Sequence, residues 1–231
     1  MGYIFQNYCK GHHQEGEDYR LYFSDENGGK CDAIRMKIEQ WRKEGKVTED
    51  EYFFLLATLI ENIDKVPDLS EADRLSYVAQ AKCLIAARYF DIFSVYGGLP
   101  ILEKSYTGTE GDYTDLKRSS IEKTVDYMVR LLDEAIPYLR WAWDGNTTDT
   151  DAYNNTGRWT AAGARALKAK ILQMAASPIF NPKDGQPYYA GASDEVKPYI
   201  MYTDASKYQE RWDRFYQACQ DFFDDWSANG Y

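Results

Sequence analysis

The sequence is poor in the residues that carry most metal and nucleophilic chemistry. Histidine occurs twice, at His12 and His13, and the four cysteines, Cys9, Cys31, Cys83 and Cys219, are scattered without a C-x-x-C pair. That spacing excludes a zinc ribbon and a thioredoxin-type redox site. Glu15 and Glu17 beside the two histidines complete a set of metal-ligand types, but adjacent side chains diverge unless the backbone bends, so this stretch reads as solvated surface. Positive charge is also short. The 27 Lys and Arg against 37 Asp and Glu leave a net charge of −10, which opposes a phosphate backbone or an anionic lipid surface and removes nucleic acid from the expected partners. No run approaches the roughly 18 apolar residues of a membrane-spanning helix. The opening Met1–Asn7 lacks the basic start and apolar core of an export signal, so none is expected here. Sustained apolar/polar alternation is missing too, which argues against strands.

Aromatic side chains are what the sequence has in excess: 20 Tyr, 6 Trp and 10 Phe among 231 residues. Tyrosine leads, and it is the aromatic that tolerates a wet face. A chain of this length can bury a core without disulfides or a structural metal, and suggests one large domain or one domain with part of a second.

Residues 1–30 show no sustained period and are expected to be irregular; from residue 31 onward the signals are helical. Cys31 to Glu44 carries Ile34, Ile38 and Trp41 at helical spacing, with Gly45 beyond. Thr48 and Glu51 form a capping box ahead of Phe53, Leu56, Leu59, Ile60 and Ile63, and Pro67 stops that helix. Ser70 caps a long helix to Tyr96, about 40 Å at 1.5 Å per residue. It carries two apolar stripes, Ala79, Cys83, Ala86, Phe90, Phe93 and Ala81, Ile85, Tyr89, Ile92, Tyr96, and leaves Gln80, Arg88, Asp91 and Ser94 on a narrow polar strip. Gly97-Gly98 and Pro100 end it. Ser119-Ser120-Ile121-Glu122 opens a further helix through Val125, Met128, Val129 and Leu132 that should break near Pro137. Thr160 to Ser177 is helical and rich in alanine, and Ala205 to Ala228 presents an aromatic face of Trp212, Phe215, Tyr216, Phe222, Phe223 and Trp226. Long loops, about 141–158 and 178–203, connect these elements. The fold expected is all-α: tetratricopeptide-like stacked helical hairpins with long connecting loops, the repeat being irregular because no fixed 34-residue period is present.

The run Arg88-Tyr89-Phe90-Asp91-Ile92-Phe93-Ser94-Val95-Tyr96-Gly97-Gly98-Leu99-Pro100-Ile101 resembles the signature of the SusD/RagB family. That signature is a long helix ending in a Tyr-Phe pair, Tyr-Gly-Gly and an apolar-Pro. Gly157-Arg158-Trp159-Thr160 leading into Ala164-Arg165-Ala166-Leu167-Lys168-Ala169-Lys170, and then Ala176-Ser177-Pro178-Ile179-Phe180-Asn181-Pro182, resemble the same family in the same order. The family commonly has an arginine one turn before the Tyr-Phe pair, where Ile85 stands here. The resemblance covers residues 31–231 and implies a helical domain whose C-terminal lobe is absent from this chain. It further implies a surface-exposed outer-membrane lipoprotein that captures a glycan or oligosaccharide as the partner of a SusC-like TonB-dependent transporter. Its membrane contact would be only through a lipid anchor outside this chain.

A sugar offers a C–H face flanked by hydroxyls, so a binder needs flat aromatics together with amides or carboxylates. The 141–159 loop supplies both, and its candidate ligand residues are Trp143, Tyr153, Asn154, Asn155, Trp141 and Asp151. Trp143 and Tyr153 lead, while Trp141 and Trp159 serve equally well as fasteners of the loop to the helix ends. Tyr188 and Tyr189 in the second loop are a weaker pair. Asp144, Asn146 and Thr148 imitate the opening of a calcium loop, but Asp149 stands where glycine is required and no glutamate follows at the twelfth position. No metal and no cofactor is expected. Catalysis by a carboxylate pair fails on geometry, since Asp224 and Asp225 diverge by about 100° on a helix and Asp91 is more simply the ion-pair partner of Arg88. The expectation is a binding protein, not an enzyme. The competing reading is a tetratricopeptide-like adaptor for a peptide or protein.

Overall fold

The computed structural model describes residues 49–67, 69–105, 116–143, 155, 157–188 and 191–230, with side chains from Tyr52. The expected helix at Cys31–Glu44, the Thr48/Glu51 cap, the histidine pair and the Asp144–Asp149 stretch lie outside the described residues. All regular structure among the described residues is helical: α1 Glu49–Asn62, α2 Glu71–Tyr96, α3 Ile121–Ala135, α4 Ala161–Ala176, a four-residue α5 Lys197–Ile200, and α6 Tyr208–Ala228. Single 3-10 turns follow α1 (Ile63–Lys65) and α3 (Ile136–Tyr138) and precede α6 (Ala205–Lys207). The all-α, tetratricopeptide-like architecture expected from the sequence is the one observed. No helix among the described residues is long and apolar enough to cross a membrane.

The chain divides into two compact units, one of Met1–Val78 with Leu102–Tyr113 and one of Ala79–Ile101 with Thr114–Tyr231. In the first, α1 buries Tyr52 and Leu56, and Ile63 and Leu69 close the same core. Ser70 accepts from the amide of Asp73 at 3.1 Å and donates to its carboxylate at 2.6 Å, the cap expected for α2. Glu61 receives the amide and hydroxyl of Ser105 at 2.7 and 2.6 Å, which fastens the segment after Leu102.

In the second unit α4 packs against both α3 and α6. Ser120, within the expected Ser119–Glu122 capping box, accepts from the amide of Lys123, and Thr160, expected as the first helical residue, instead caps α4 by accepting from the amide of Gly163. The α3 stripe is fully used, with Ile121, Val125, Met128 and Leu132 at 0% exposure, each contributing about 1.5–3 kcal/mol by leaving water. The long helix meets α3 through Tyr89 and Tyr127, edge to face at 5.0 Å, and its Phe93 stacks on Phe180 at 4.8 Å. Cys83 sits in this core with its thiol pushed up to about 12 by burial, so it stays protonated and inert at neutral pH.

Two placements differ from the sequence reading. Gln80 is 2% exposed rather than on a solvated strip, because a distant loop returns to it. Tyr96, the last residue of the second stripe, is 65% exposed, while Phe93 in the same turn is buried. The Arg88–Asp91 pair forms as expected at 2.9 Å.

The Tyr-Phe and Gly-Gly-Leu-Pro signature has a packing explanation. Gly97 has φ +76°, and a Cβ there would stand 2.4 Å from the carbonyl oxygen of Tyr199; one on Gly98 would stand 2.1 Å from that of Ser119. The amide of Gly98 donates to that same Tyr199 oxygen at 2.8 Å. Arg118 spans the turn, donating to the carbonyls of Gly98 at 2.7 Å, of Tyr96, and of Tyr199 at 3.3 Å, while the Tyr89 hydroxyl donates to the carbonyl of Pro100 at 2.9 Å. Two backbone segments therefore meet at a point with no room for a side chain. Gly98→Ala is expected to lower stability by about 1–3 kcal/mol, read as a fall in Tm and in the denaturant midpoint; an unchanged midpoint would contradict this account.

Candidate functional site

The candidate site begins where α3 ends. After the 3-10 turn the chain runs through Arg140, Trp141 and Trp143, leaves the described residues, and returns at Gly157-Arg158-Trp159-Thr160 to enter α4. The two arms are pinned side by side. The amide of Ala161 donates to the carbonyl of Arg140 at 2.7 Å, and that of Ala162 to Trp141 at 3.4 Å, so one arm satisfies the open N-terminal amides of the helix that the other arm starts.

A second fastening comes from α2. The buried Gln80 amide donates to the carbonyl of Trp159 at 2.8 Å and accepts from its backbone N–H at 2.9 Å. The pair satisfies the backbone of an extended residue as a neighbouring strand would. The Trp159 ring lies over Gly163, within 3.6 Å of where a Cβ would be. Trp141 packs on Phe222 of α6, ring centroids 5.8 Å apart. Trp141 and Trp159 thus take the fastening role.

Trp143 is placed differently. It is half-buried, with the guanidinium of Arg140 over its ring at 5.0 Å and that of Arg158 at 6.0 Å. The two arginines belong to opposite arms of the loop, so the indole is gathered between them by cation–π attraction. Burial lowers the Arg158 pKa from its ordinary value. Among the described residues the buried indole N–H of Trp143 has no acceptor. Tyr153, Asn154 and Asp151 lie outside the described residues, and Asn155 is described only as half-buried, its carbonyl accepting from the amide of Arg158 at 3.1 Å. Of the weaker pair, Tyr188 is 73% exposed and Tyr189 lies outside the description. Arg140 and Arg158 were missed by the sequence reading; the signal was their place beside tryptophans, at Arg140-Trp141-Ala142-Trp143 and Arg158-Trp159.

The second loop is anchored by a buried polar cluster. Asn181, 1% exposed, accepts from Arg211 at 3.0 Å and donates to the carbonyls of Tyr208 and Ala176 at 3.1 and 3.4 Å. Arg211 also donates to the carbonyl of Asp204 at 2.8 Å and lies 3.9 Å over the Tyr202 ring, whose hydroxyl burial holds well above its ordinary pKa. The basic residues of the α4 motif are likewise structural: Arg165 pairs with Asp225, Lys168 with Asp133 at 2.6 Å, and Lys170 lies over Phe90 at 5.6 Å. Among the described residues no group of three metal-ligating side chains assembles.

No family model matches the chain. Among curated proteins, 86 residues are 31% identical to SusD-like protein P38 of Formosa agariphila, taking in 37% of this chain and 17% of that protein. Another stretch-length likeness is of a different kind: 65 residues are 54% identical to the type II methyltransferase M.NlaIII of Neisseria lactamica, 28% of this chain and 18% of that one. Shorter matches to three further modification methylases accompany it. Among solved structures, BT4246 superposes with TM-score 0.58 at 24% identity over 74% of this chain and 28% of that chain. The chain therefore spans less than a third of each of these proteins.

Replacing Gln80 by leucine keeps the volume but removes both bonds to Trp159. The expected loss is about 2–4 kcal/mol, one unsatisfied buried donor and one acceptor, with faster hydrogen exchange at Trp159 and Ala161 in particular. Exchange unchanged at those two amides would remove Gln80 from its fastening role.

Proposed function

We propose that the chain is a SusD-like protein that captures a carbohydrate at the loop bracketed by Trp141 and Thr160, a reading supported by its likeness to SusD-like protein P38 and by the shared fold. The contacting set is Trp143, Tyr153, Asn154, Asn155, Asp151 and Trp141, with Arg140 and Arg158 added by the geometry. The observation that carries the reading is the Trp143 indole, held half-buried at the loop mouth under two guanidiniums. A pyranose presents an apolar face and a rim of hydroxyl oxygens; an indole ring and forked N–H donors answer those two features. The rigid bracket made by Gln80, Arg140 and Trp141 limits the entropy lost when the ligand is bound.

In this reading the protein binds without chemical conversion. It works at the outer face of the outer membrane, held there by a lipid anchor outside this sequence, and delivers an oligosaccharide to a SusC-like TonB-dependent transporter. In affinity electrophoresis through a panel of polysaccharides, at least one should retard the chain. Trp143→Ala should weaken that retardation about tenfold, the worth of one lost ring contact of roughly 1.4 kcal/mol. Retardation by none of the panel, together with saturable binding of peptides, would transfer the scaffold to the adaptor class.

The 54% identity over 65 residues to M.NlaIII favours a second reading for part of the chain, namely that it carries a segment of methyltransferase descent. Such a segment amounts to 18% of that enzyme. Transfer of labelled methyl groups from S-adenosylmethionine to DNA is therefore expected to stay at background. Transfer above background that follows the purified chain would overturn the non-enzymatic reading.

A further inference from the structure

Among the described residues one aspartate is followed by glycine, Asp184 before Gly185. The pair stands in the second long loop, away from the loop of the candidate site. The chain reverses there: the amide of Gly185 donates to the carbonyl of Pro182 at 3.2 Å, and Gly185 takes φ +67°, the left-handed conformation that favours glycine. The exposed Asp184 carboxyl folds back over this turn, its Oδ1 accepting from the amide of Gln186 at 3.0 Å. That bond closes an arch around the peptide link between Asp184 and Gly185, and it holds the carboxyl carbon on the side of the Gly185 nitrogen.

A carboxyl held beside the nitrogen of its own following peptide is arranged for ring closure, because proximity replaces a bimolecular encounter. The Cβ of the next residue ordinarily obstructs that approach. Gly185 has none, and the nearest atom to that empty position is the Cβ of Ala205, at 3.4 Å. The same chain supplies a comparison. Asp204 accepts from the amide of Ser206 at 3.0 Å in the same arrangement, but Ala205 follows it. Bonds from the Ser206 hydroxyl and amide also hold the Asp204 carboxyl below its ordinary range, which keeps it in the ionised form that has no leaving group.

We propose that Asp184-Gly185 is a modification site, at which the backbone isomerises without an enzyme. The Gly185 nitrogen bonds to Cγ of Asp184, and the hydroxyl of the protonated carboxyl leaves with the nitrogen's proton as water. The product is a five-membered succinimide. A water molecule then opens the ring: attack at Cγ restores aspartate, and attack at the main-chain carbonyl carbon leaves isoaspartate, whose backbone runs through Cβ and Cγ. Mass is unchanged over the two steps, and water is the only co-reactant. The altered link lengthens the main chain three residues from Asn181, whose side chain anchors this loop to Arg211. The proposal does not rest on carbohydrate capture at the Trp143 loop.

The test is incubation of the whole chain for several weeks at body temperature, followed by peptide mapping. The peptide carrying Asp184 should split into two chromatographic forms of equal mass, told apart by electron-transfer fragmentation, while the peptide carrying Asp204 should not. Conversion should be at least as fast as in a synthetic peptide of residues 182–188, since the turn holds the reacting groups together. Gly185→Ala should slow it about tenfold. Asp184→Asn, which leaves the glycine of the turn in place, should pass through the same ring faster still, with loss of ammonia. A folded chain slower than the free peptide, or an Asp184→Asn chain that keeps its side-chain amide, would overturn the proposal and make the turn a protection of the link. Equal conversion at Asp204 would overturn it as well, because the missing Cβ would then count for nothing.

Discussion

The second unit depends on a close approach of backbones at the end of its longest helix. Gly97 and Gly98 lie against the carbonyls of Tyr199 and Ser119 at distances that leave no space for even a methyl group. The amide of Gly98 and the guanidinium of Arg118 convert that proximity into hydrogen bonds. Three stretches far apart in sequence, the end of α2, the start of α3 and the short α5, are thereby fixed to one another. The buried Thr124 hydroxyl, accepting from the amide of Leu99 at 2.9 Å, extends the same fastening into α3. α4 then packs against α3 and α6, and its alanines allow close approach.

Much of this was legible in the residues. Local rules placed the cap at Ser70 and the capping box at Ser119–Glu122, the break near Pro137 and the stop at Gly97-Gly98, because capping and turn chemistry act over three or four residues and leave a local mark. The apolar stripe of α3 was equally plain. Gln80 shows where such reading stops. A polar side chain on a helix wheel is assigned to water unless something marks it otherwise, and what buries Gln80 is a backbone segment 79 positions away. Asn181 and Arg211 were hidden for the same reason: their pairing is a tertiary fact with no local period. On α6 the opposite error arises, since aromatic spacing announces a face without saying whether this unit covers it.

The loop candidates divide along similar lines. Composition alone picked out a segment with tryptophans, tyrosine and amides. It did not distinguish Trp141 and Trp159, which hold the loop, from Trp143, which two arginines enclose. That distinction needs both arms of the loop in place. The residues of the family signature also turn out to be architectural. Tyr89, Gly97, Gly98, Arg165 and Lys168 tie helices and turns together, which explains how a signature can mark a scaffold without marking what the scaffold holds.

The Asn181–Arg211 contact carries a consequence for the order in which the molecule is made. Asn181 is reached by the ribosome 30 residues before its guanidinium partner. Until α6 emerges from the exit tunnel, the Asn181 side chain lacks its bonds to Tyr208 and Arg211 and keeps only that to the carbonyl of Ala176. Completion of α6 therefore acts as a latch on a stretch already synthesised, and a nascent chain halted before Arg211 presents that stretch less firmly fastened to chaperones and proteases.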